Sequence, residues 1–434
     1  MQVLTADDRG LQKLVALKTK ILAAQLGDQT AARAIVAVAW VPTEVGSHHA
    51  TSAARVACLT RDGDVEVWDT ATGARVHRVV ECGAEGVLLA CWRGRFVVVA
   101  RSGGVRVFPQ DAASGAGGGV DCFEFSVGGT VSAAALHPET GTLAAGGRDN
   151  DVALWDLAAG GARTWVAQNP PPGPLGIWKA IWVTGVAFLR EGTEFAGAAG
   201  AGAGAAPPPG APAFSPHLLA VASGHRTLRL YDTRSGRLPA ASAEDCGEYP
   251  FTTLAVSACG GSLVTGDTAG NLRRWGVPSL QPAGVFKGHS GAIKAVAVHP
   301  TAPYVATASL DRTCLVFHAD TRQLLRRLYL KQRLSAVLFA PGGAGARGGV
   351  GEAEGAMPGA GRGVRKRALV KMHTARGVVT AEEAGGEGGE GEKEEEEEGG
   401  AASGEDEDDV WEELQRRAAA AAEGAAGRVA KKRR

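Results

Sequence analysis

The stretch Asp149-Asn150-Asp151-Val152-Ala153-Leu154-Trp155-Asp156 contains a polar turn, an alternating apolar run and an aromatic residue followed by aspartate. Six further stretches follow this scheme, at intervals that are mostly about 40 to 50 residues. Their final residues are Leu14, Trp68, Phe108, Tyr231, Trp275 and Phe317. Alternating runs also precede these turns, for example residues 55–59 before Asp62-Gly63, as strand-turn-strand hairpins require.

These units are WD repeats, and seven of them predict an all-β, seven-bladed WD40 β-propeller over residues 1–340. A single blade cannot bury both of its faces, whereas a ring of blades buries them against each other. The first unit has little sequence before it, so we expect residues 327–339 to supply its missing strand. Loop insertions are expected near 168–178 and 195–214, where proline, glycine and alanine accumulate.

The best copy of the repeat runs from Gly288 to Phe317. WD blades of this type contain a hydrogen-bonded tetrad of His, Ser or Thr, Asp and a terminal aromatic residue. His289, Ser309, Asp311 and Phe317 match these places, so we interpret them as structural. Because Phe has no polar hydrogen, the last hydrogen bond of the tetrad is expected to be missing.

From residue 341 onward the sequence predicts a disordered, low-complexity tail with 20 acidic and 15 basic residues. A possible short helix over 409–421 carries Trp411 and Leu414 on one stripe, which suits docking to a partner. The basic clusters Arg365-Lys366-Arg367 and Lys431-Lys432-Arg433-Arg434 suit a nuclear import receptor. The alternative for both clusters is solvated charge without a partner.

Composition and motifs argue against several function classes. With 46 basic and 46 acidic residues the net charge is zero, which excludes a uniformly basic nucleic-acid coat. We find no secretory signal or membrane span, and the seven cysteines, never spaced as C-x-x-C, are expected to be buried free thiols. The sequence has no P-loop, and His48-His49 has no metal-ligating partners at suitable spacing. We therefore expect no cofactor, no metal and no enzymatic activity.

Several segments together resemble one family, the nucleolar WD-repeat factors that act in large ribosomal subunit assembly. The segments are residues 145–157, 181–189, 223–232, Gly247-Glu248-Tyr249-Pro250, Tyr329-Leu330-Lys331 and 408–414. The resemblance implies a monomeric, non-catalytic scaffold in the nucleus and nucleolus that binds pre-60S particle proteins and supports rRNA processing. It also implies release from the particle by an AAA-type ATPase, while direct contact with pre-rRNA stays open.

A partner surface is expected at polar and aromatic residues that blade packing does not require. The candidates are Arg148, Asn150, Trp182, His225, Arg226, Glu248, Tyr249, Lys331 and Arg333. An alternative function rests on Tyr231-Asp232-Thr233-Arg234, which is similar to the box by which WD-repeat substrate receptors dock onto cullin-type ubiquitin ligases. This alternative requires Arg234 to be exposed.

Overall fold

The structure is a computed structural model of the chain, and it describes residues 1–30, 33–42, 55–79, 85–110, 122–172, 178–191 and 213–341. The secondary structure of these residues consists of β-strands joined by turns. In chain order the strands are β1 (Gln2–Asp7), β2 (Gln12–Ala16), β3 (Ile21–Leu26), β4 (Ile35–Val41), β5 (Arg55–Thr60), β6 (Val65–Asp69), β7 (Arg75–Val79), β8 (Gly86–Trp92), β9 (Arg95–Ala100), β10 (Gly104–Pro109), β11 (Phe123–Ser126), β12 (Ala133–Leu136), β13 (Thr142–Gly147), β14 (Asn150–Asp156), β15 (Ala162–Val166), β16 (Val183–Arg190), β17 (Phe214–Ser223), β18 (Leu228–Asp232), β19 (Ala241–Ala243), β20 (Phe251–Val256), β21 (Ser262–Asp267), β22 (Leu272–Gly276), β23 (Pro282–Phe286), β24 (Ile293–Val298), β25 (Tyr304–Ser309), β26 (Thr313–His318), β27 (Leu324–Tyr329) and β28 (Leu334–Phe339).

These strands form seven antiparallel four-stranded sheets, which are the blades of a β-propeller. Blade one has the order β28-β1-β2-β3 from the centre outward, and blades two to seven follow with four consecutive strands each. The innermost strands contact one another in succession around the ring. The predicted seven-bladed propeller is confirmed, and the final residue of each repeat lies on the third strand of its blade.

Burial explains why the second strands are so apolar. Every residue of β21 and β25 is buried, because a neighbouring blade covers each face of these strands. The outermost strands β3, β7 and β11 are mostly exposed and alternate less regularly. Each pair of adjacent blades shares an apolar cluster, so the core is a series of interfaces between blades.

Blade one closes the ring with strands from both ends of the described chain. β28 pairs antiparallel with β1, with Val3 opposite Phe339 and Thr5 opposite Val337. The prediction that residues 327–339 supply this strand was wrong in its first part, because residues 324–329 form β27 of blade seven. The chain must first complete the outer edge of blade seven and then cross to the centre of blade one.

Each blade has two ends. We call the upper face the one that carries the turns between second and third strands and the connections from blade to blade. The lower face carries the remaining turns. β16 ends at Arg190 and β17 begins at Phe214, and the chain between them lies mostly outside the described residues, as do residues 173–177. The tail from 342 onward is outside them too.

Two further expectations concern membranes and thiols. In the described part of the chain, a helix with the length and apolarity to cross a membrane is not found. Cys58, Cys246 and Cys314 are buried free thiols, and burial raises the pKa of Cys58 and Cys314 to about 12. Cys122 and Cys259 are exposed, so the expectation of burial was wrong for them, because Cys122 lies directly before the outer strand β11 and Cys259 lies in a turn.

Leu334 of β28 is 1% exposed and belongs to the apolar cluster between blades seven and one. We expect Leu334→Ala to lower the free energy of unfolding by about 2–5 kcal/mol, because it leaves a cavity at the closing strand. The matched control is Leu22→Ala on the outer strand β3, where the side chain is 47% exposed. The control should change stability by less than about 0.5 kcal/mol. Urea unfolding followed by tryptophan fluorescence measures both, and equal losses would contradict this account of closure.

Candidate interaction surface on the upper face

Three of the predicted partner-binding side chains form a stack on the upper face. The Arg148 guanidinium carbon lies 5.7 Å from the centre of the Trp182 ring, which is a cation–π arrangement. Trp182 also meets the His225 ring edge to face, with 5.7 Å between ring centres. Arg148 comes from blade four, and the other two residues come from the start and the second turn of blade five. The stack therefore bridges two blades.

Backbone geometry places the Trp182 ring. The Trp182 carbonyl accepts a hydrogen bond from the Gly224 amide, at 2.9 Å. A Cβ atom on Gly224 would lie 2.4 Å from the Trp182 ring, so only glycine lets the ring rest on this turn. The backbones of Arg148 and Trp182 also form an isolated β-bridge. The backbone therefore positions the indole ring independently of its side-chain contacts with Arg148 and His225.

Arg226 anchors the connection between blades five and six. Its guanidinium donates hydrogen bonds to the Gly247 carbonyl at 3.3 Å and to the Asp245 carboxylate at 3.2 Å. Lys179, in the connection between blades four and five, forms an ion pair with Glu244, which lies in the connection between blades five and six. These contacts give Arg226 a structural part, and they hold the neighbouring segment where Glu248 and Tyr249 are exposed.

Two further aromatic residues are exposed in the connections before and after blade five. Tyr249 is 43% exposed and Trp178 is 63% exposed, and both lie in connections on the upper face. Large apolar groups at such positions are typical of interaction sites, because a folded chain otherwise removes them from water. We call Arg148, Trp182, His225, Tyr249 and Trp178 the aromatic sector.

The other candidates have different places. Asn150 donates to the Gly128 carbonyl at 2.9 Å, so it fastens the connection between blades three and four. Lys331 and Arg333 lie in the connection from β27 to β28, also on the upper face but at blades seven and one. The structure therefore brings seven of the nine candidates together over blades four to six and separates these two. Trp411, Leu414 and the basic clusters of the tail, Arg365 to Arg367 and Lys431 to Arg434, lie outside the described residues.

A partly buried carboxylate shares a small cavity with Trp182. Asp151, Arg229 and Trp182 line a cavity of about 10 Å³ between blades four and five. Burial raises the pKa of Asp151, although its Oδ1 accepts a hydrogen bond from the Val152 amide. Its Oδ2 has no hydrogen-bond partner within the described part of the protein. A cavity this small has no room for a substrate, so we interpret Asp151 as a partly buried polar residue of the interface between blades four and five.

A larger cavity opens toward the lower face. It has a volume of about 200 Å³ and is lined by Ala135, Leu136, Pro138, Val186, Ala187, Phe188, Phe214 and Val256. These side chains are apolar and offer no acid, base or nucleophile. Among the described residues, moreover, three or more His, Cys, Asp or Glu side chains are nowhere grouped as metal ligands. Neither feature indicates catalytic chemistry.

The hydrogen-bonded network of blade seven differs from the predicted one. His289 contacts Asp311 Oδ2 through Nδ1 at 2.9 Å and Thr307 Oγ1 through Nε2 at 2.7 Å. The prediction of Ser309 as the hydroxyl partner was wrong. Ser309 instead donates to the Gly291 carbonyl, because it lies at the upper end of β25, whereas Thr307 lies deeper in the blade.

Blade six contains the hydrogen bond between the terminal aromatic residue and the threonine that blade seven lacks. The Trp275 indole N–H donates to Thr265 Oγ1 at 2.8 Å. Thr307 and Phe317 have the same spacing in blade seven, where the Phe317 ring packs against Phe286 at 5.3 Å between centres. Phe317 thus fills the aromatic place without a donor, as its side chain dictates.

Sequence reasoning missed Trp178 and Lys179 because they follow a proline-rich loop expected to be irregular. Their signal was the run Trp178-Lys179-Ala180-Ile181-Trp182, which places two tryptophans just before an innermost strand. The sequence could not show that the Trp182 ring packs against Gly224. Trp182 lies in the connection between blades four and five, whereas Gly224 lies in a turn of blade five, and only the fold brings them into contact.

The fold is a seven-bladed β-propeller, and its repeated signature is that of WD repeats. The family model described as "WD domain, G-beta repeat" matches residues 120–156 and 280–318. The β-propeller domain of Cps50 (Swd1) from Myceliophteria thermophila has a similar fold, with a TM-score of 0.51 and 16% sequence identity. That likeness covers 65% of this chain and 85% of the other, and it concerns the fold alone.

The sequence is similar to WD repeat-containing protein 74 of Bos taurus, with 26% identity over 283 residues, 64% of this chain and 66% of the relative. The human protein of that name is 26% identical over 47% of this chain and 46% of its own length. Ribosome biogenesis protein NSA1 of Meyerozyma guilliermondii is 24% identical over 48% of this chain and 54% of its length. The chain thus spans about half to two thirds of these relatives, which confirm the expected resemblance.

The His289 side chain is 1% exposed, and burial lowers its pKa despite the opposing effect of Asp311. The unfolded chain therefore binds more protons than the folded chain once the pH falls below about 6.5, so acid weakens the fold. We expect His289→Gln to reduce stability at pH 7 by about 1–3 kcal/mol, through the lost hydrogen bonds.

When the pH falls from about 7 to about 5, a range that contains the usual histidine pKa, the His289→Gln variant should lose less stability than the natural chain. Urea unfolding at each pH measures this difference. His217→Gln, at an exposed position, is the control and should follow the natural chain. Parallel pH profiles for His289→Gln and the natural chain would refute the assignment.

Proposed function

We propose that the protein is a non-catalytic assembly factor of the large ribosomal subunit, which binds pre-60S particles in the nucleolus. The observation that carries this proposal is the similarity to proteins named WD repeat-containing protein 74 and ribosome biogenesis protein NSA1. The absence of a convergent catalytic pocket at the two cavities described above is consistent with a scaffold.

The aromatic sector is the proposed docking surface for particle proteins. Its exposed Trp178 and Tyr249 supply apolar area, while Arg148 and His225 supply a polar rim around Trp182. Aromatic residues and arginine are the residue types that contribute most at protein interfaces. The blades that carry them are joined by buried clusters, which hold these blades in fixed positions before binding.

The finer parts of the proposal concern the cellular pathway. The protein supports rRNA processing, reaches the nucleus through its basic clusters and an import receptor, and leaves the particle through an AAA-type ATPase. It acts as a monomer. These statements follow the resemblance and the tail sequence, and each is separable from particle binding.

A substrate receptor of a cullin-type ubiquitin ligase is the competing function. Arg234 lies on the lower face with 62% of its side chain exposed, as that function requires. Its guanidinium, however, donates from Nε and Nη2 to the Asp232 carboxylate, each at 2.9 Å. This pairing lowers the pKa of Asp232 and engages the arginine within its own turn.

Purification of the tagged full chain from nuclear extract at moderate salt distinguishes the two functions. We expect large-subunit precursor RNA and assembly proteins to sediment with the protein. Recovery of a ligase adaptor without ribosomal RNA would contradict the proposal. Loss of that adaptor in Arg234→Ala would then establish the competing function.

The double variant Arg148→Glu with Lys331→Glu tests the upper face. Both residues are exposed at turns, so the fold should persist while association with the particle falls by at least about tenfold, the loss of more than about 1.4 kcal/mol. Arg163→Glu with Arg237→Glu makes the same charge change at exposed positions away from the upper-face turns. Sedimentation of each tagged variant measures association, with circular dichroism as the folding control. Unchanged sedimentation of the upper-face variant would refute the proposal that the particle binds at the upper face.

A further inference from the structure

A second part of the upper face has a different charge pattern. Over blades six, seven and one, six exposed basic side chains occupy the turns, the connections and the upper end of β24. They are Arg9, Lys287, Lys294, Arg312, Lys331 and Arg333, which we call the basic sector. None of the six has an ion pair or a side-chain hydrogen bond within the part of the chain that the structure describes.

Three acidic residues in the turns of this region point inward, while Asp8 is partly exposed beside Arg9. Asp7 is 1% exposed and accepts hydrogen bonds from the Arg9 and Leu11 amides. Asp267 is 3% exposed and binds the Ala269 and Asn271 amides. Asp311 is bound to His289. These carboxylates hold the turns in shape and leave the cations to face solvent, which makes the local potential positive.

The rest of the upper face shows the contrast. Over blades one to six, away from the basic sector, arginines and lysines are mostly engaged by carboxylates. The pairs are Arg33 with Glu66, Arg78 with Asp64, Arg101 with Glu85, Lys179 with Glu244 and Arg226 with Asp245. Cations that are already paired must give up a partner to bind a phosphate, whereas those of the basic sector need not.

We infer that the basic sector binds the phosphate backbone of RNA. The inference rests on the proposed function, which brings the protein to an RNA-containing particle. Each cation that meets a phosphate releases condensed counterions, and this release drives binding. Tyr329, 60% exposed at the end of β27 beside Lys331, offers a ring on which an unpaired base can stack.

An acidic protein segment fits this surface less well. Protein interfaces are depleted in lysine and place apolar residues at their centre. Three of the six cations are lysines. The large apolar side chains exposed near them are Leu310 in a turn, at 36%, and Val285 and Tyr329 on the outer strands β23 and β27. The apolar area that a protein partner needs lies instead in the aromatic sector.

The test uses the full chain and a labelled single-stranded RNA of about 30 nucleotides, long enough to cover several of these cations. Fluorescence anisotropy gives the Kd at salt concentrations between about 50 and 200 mM. We expect Lys287→Glu with Lys294→Glu and Arg333→Glu to raise the Kd by at least about tenfold. The slope of log K against log salt should become shallower by about 2, the value for three lost phosphate contacts.

The matched control is Arg61→Glu with Arg163→Glu and Arg237→Glu, which changes the charge equally at exposed positions outside the basic sector. It should bind RNA within about twofold of the natural chain, a change of less than about 0.5 kcal/mol. Equal weakening of both triple variants would overturn the inference, as would an unchanged Kd in the basic-sector variant. Displacement of the RNA by a polyglutamate peptide at similar concentration would also overturn it, in favour of an acidic protein partner.

Sedimentation with the particle separates this inference from the proposed function. If the basic-sector variant loses RNA affinity and the natural chain sediments with the particle, both stand. The natural chain could instead sediment with the particle while the basic-sector variant binds RNA as well as the natural chain does. That result would refute the RNA site and leave the proposed function standing.

Discussion

The mutual burial of neighbouring blades is the constraint on which the rest of the structure depends. The second strands have no solvent-facing side, so they tolerate only residues that suit burial on both faces, as the fully buried β21 and β25 illustrate. Since apolar interfaces hold the blades in fixed positions, the turns at their ends are freed from stabilising the core. Those turns can therefore differ in charge and aromatic content without changing the ring.

The upper face uses this freedom in two ways. Over blades four to six, Trp182 links Arg148 and His225, and neighbouring cations are neutralised by carboxylates. Over blades seven and one, Asp7 and Asp311 are bound within the turns and the cations of the basic sector stay exposed. One face of one ring thus offers a surface suited to protein and another suited to polyanions. A particle composed of RNA and protein has both kinds of component to meet them.

The repeat pattern predicted the propeller because each blade carries its own local signal, an alternating strand with a terminal aromatic such as Trp155 or Trp275. The closing strand was predicted only approximately, since the limit between β27 and β28 depends on where the chain crosses from rim to centre. Thr307 and Ser309 point to the same side of β25, and only the depth reached by His289 distinguishes them. The division of the upper face into an aromatic sector and a basic sector could not be predicted either, because it arises from residues brought together by ring closure.

Ring closure by β28 also has a consequence for synthesis of the chain. Blades two to seven each consist of consecutive strands, so they are able to form in order as the chain emerges. Blade one is different: β1, β2 and β3 are made first, but their inner edge stays without a partner until residues 334–339 have been translated. Through all of that time β1 presents an open, apolar strand edge, the kind of edge that pairs with other chains. A nascent chain of this design therefore needs protection at its beginning until its last repeat is complete.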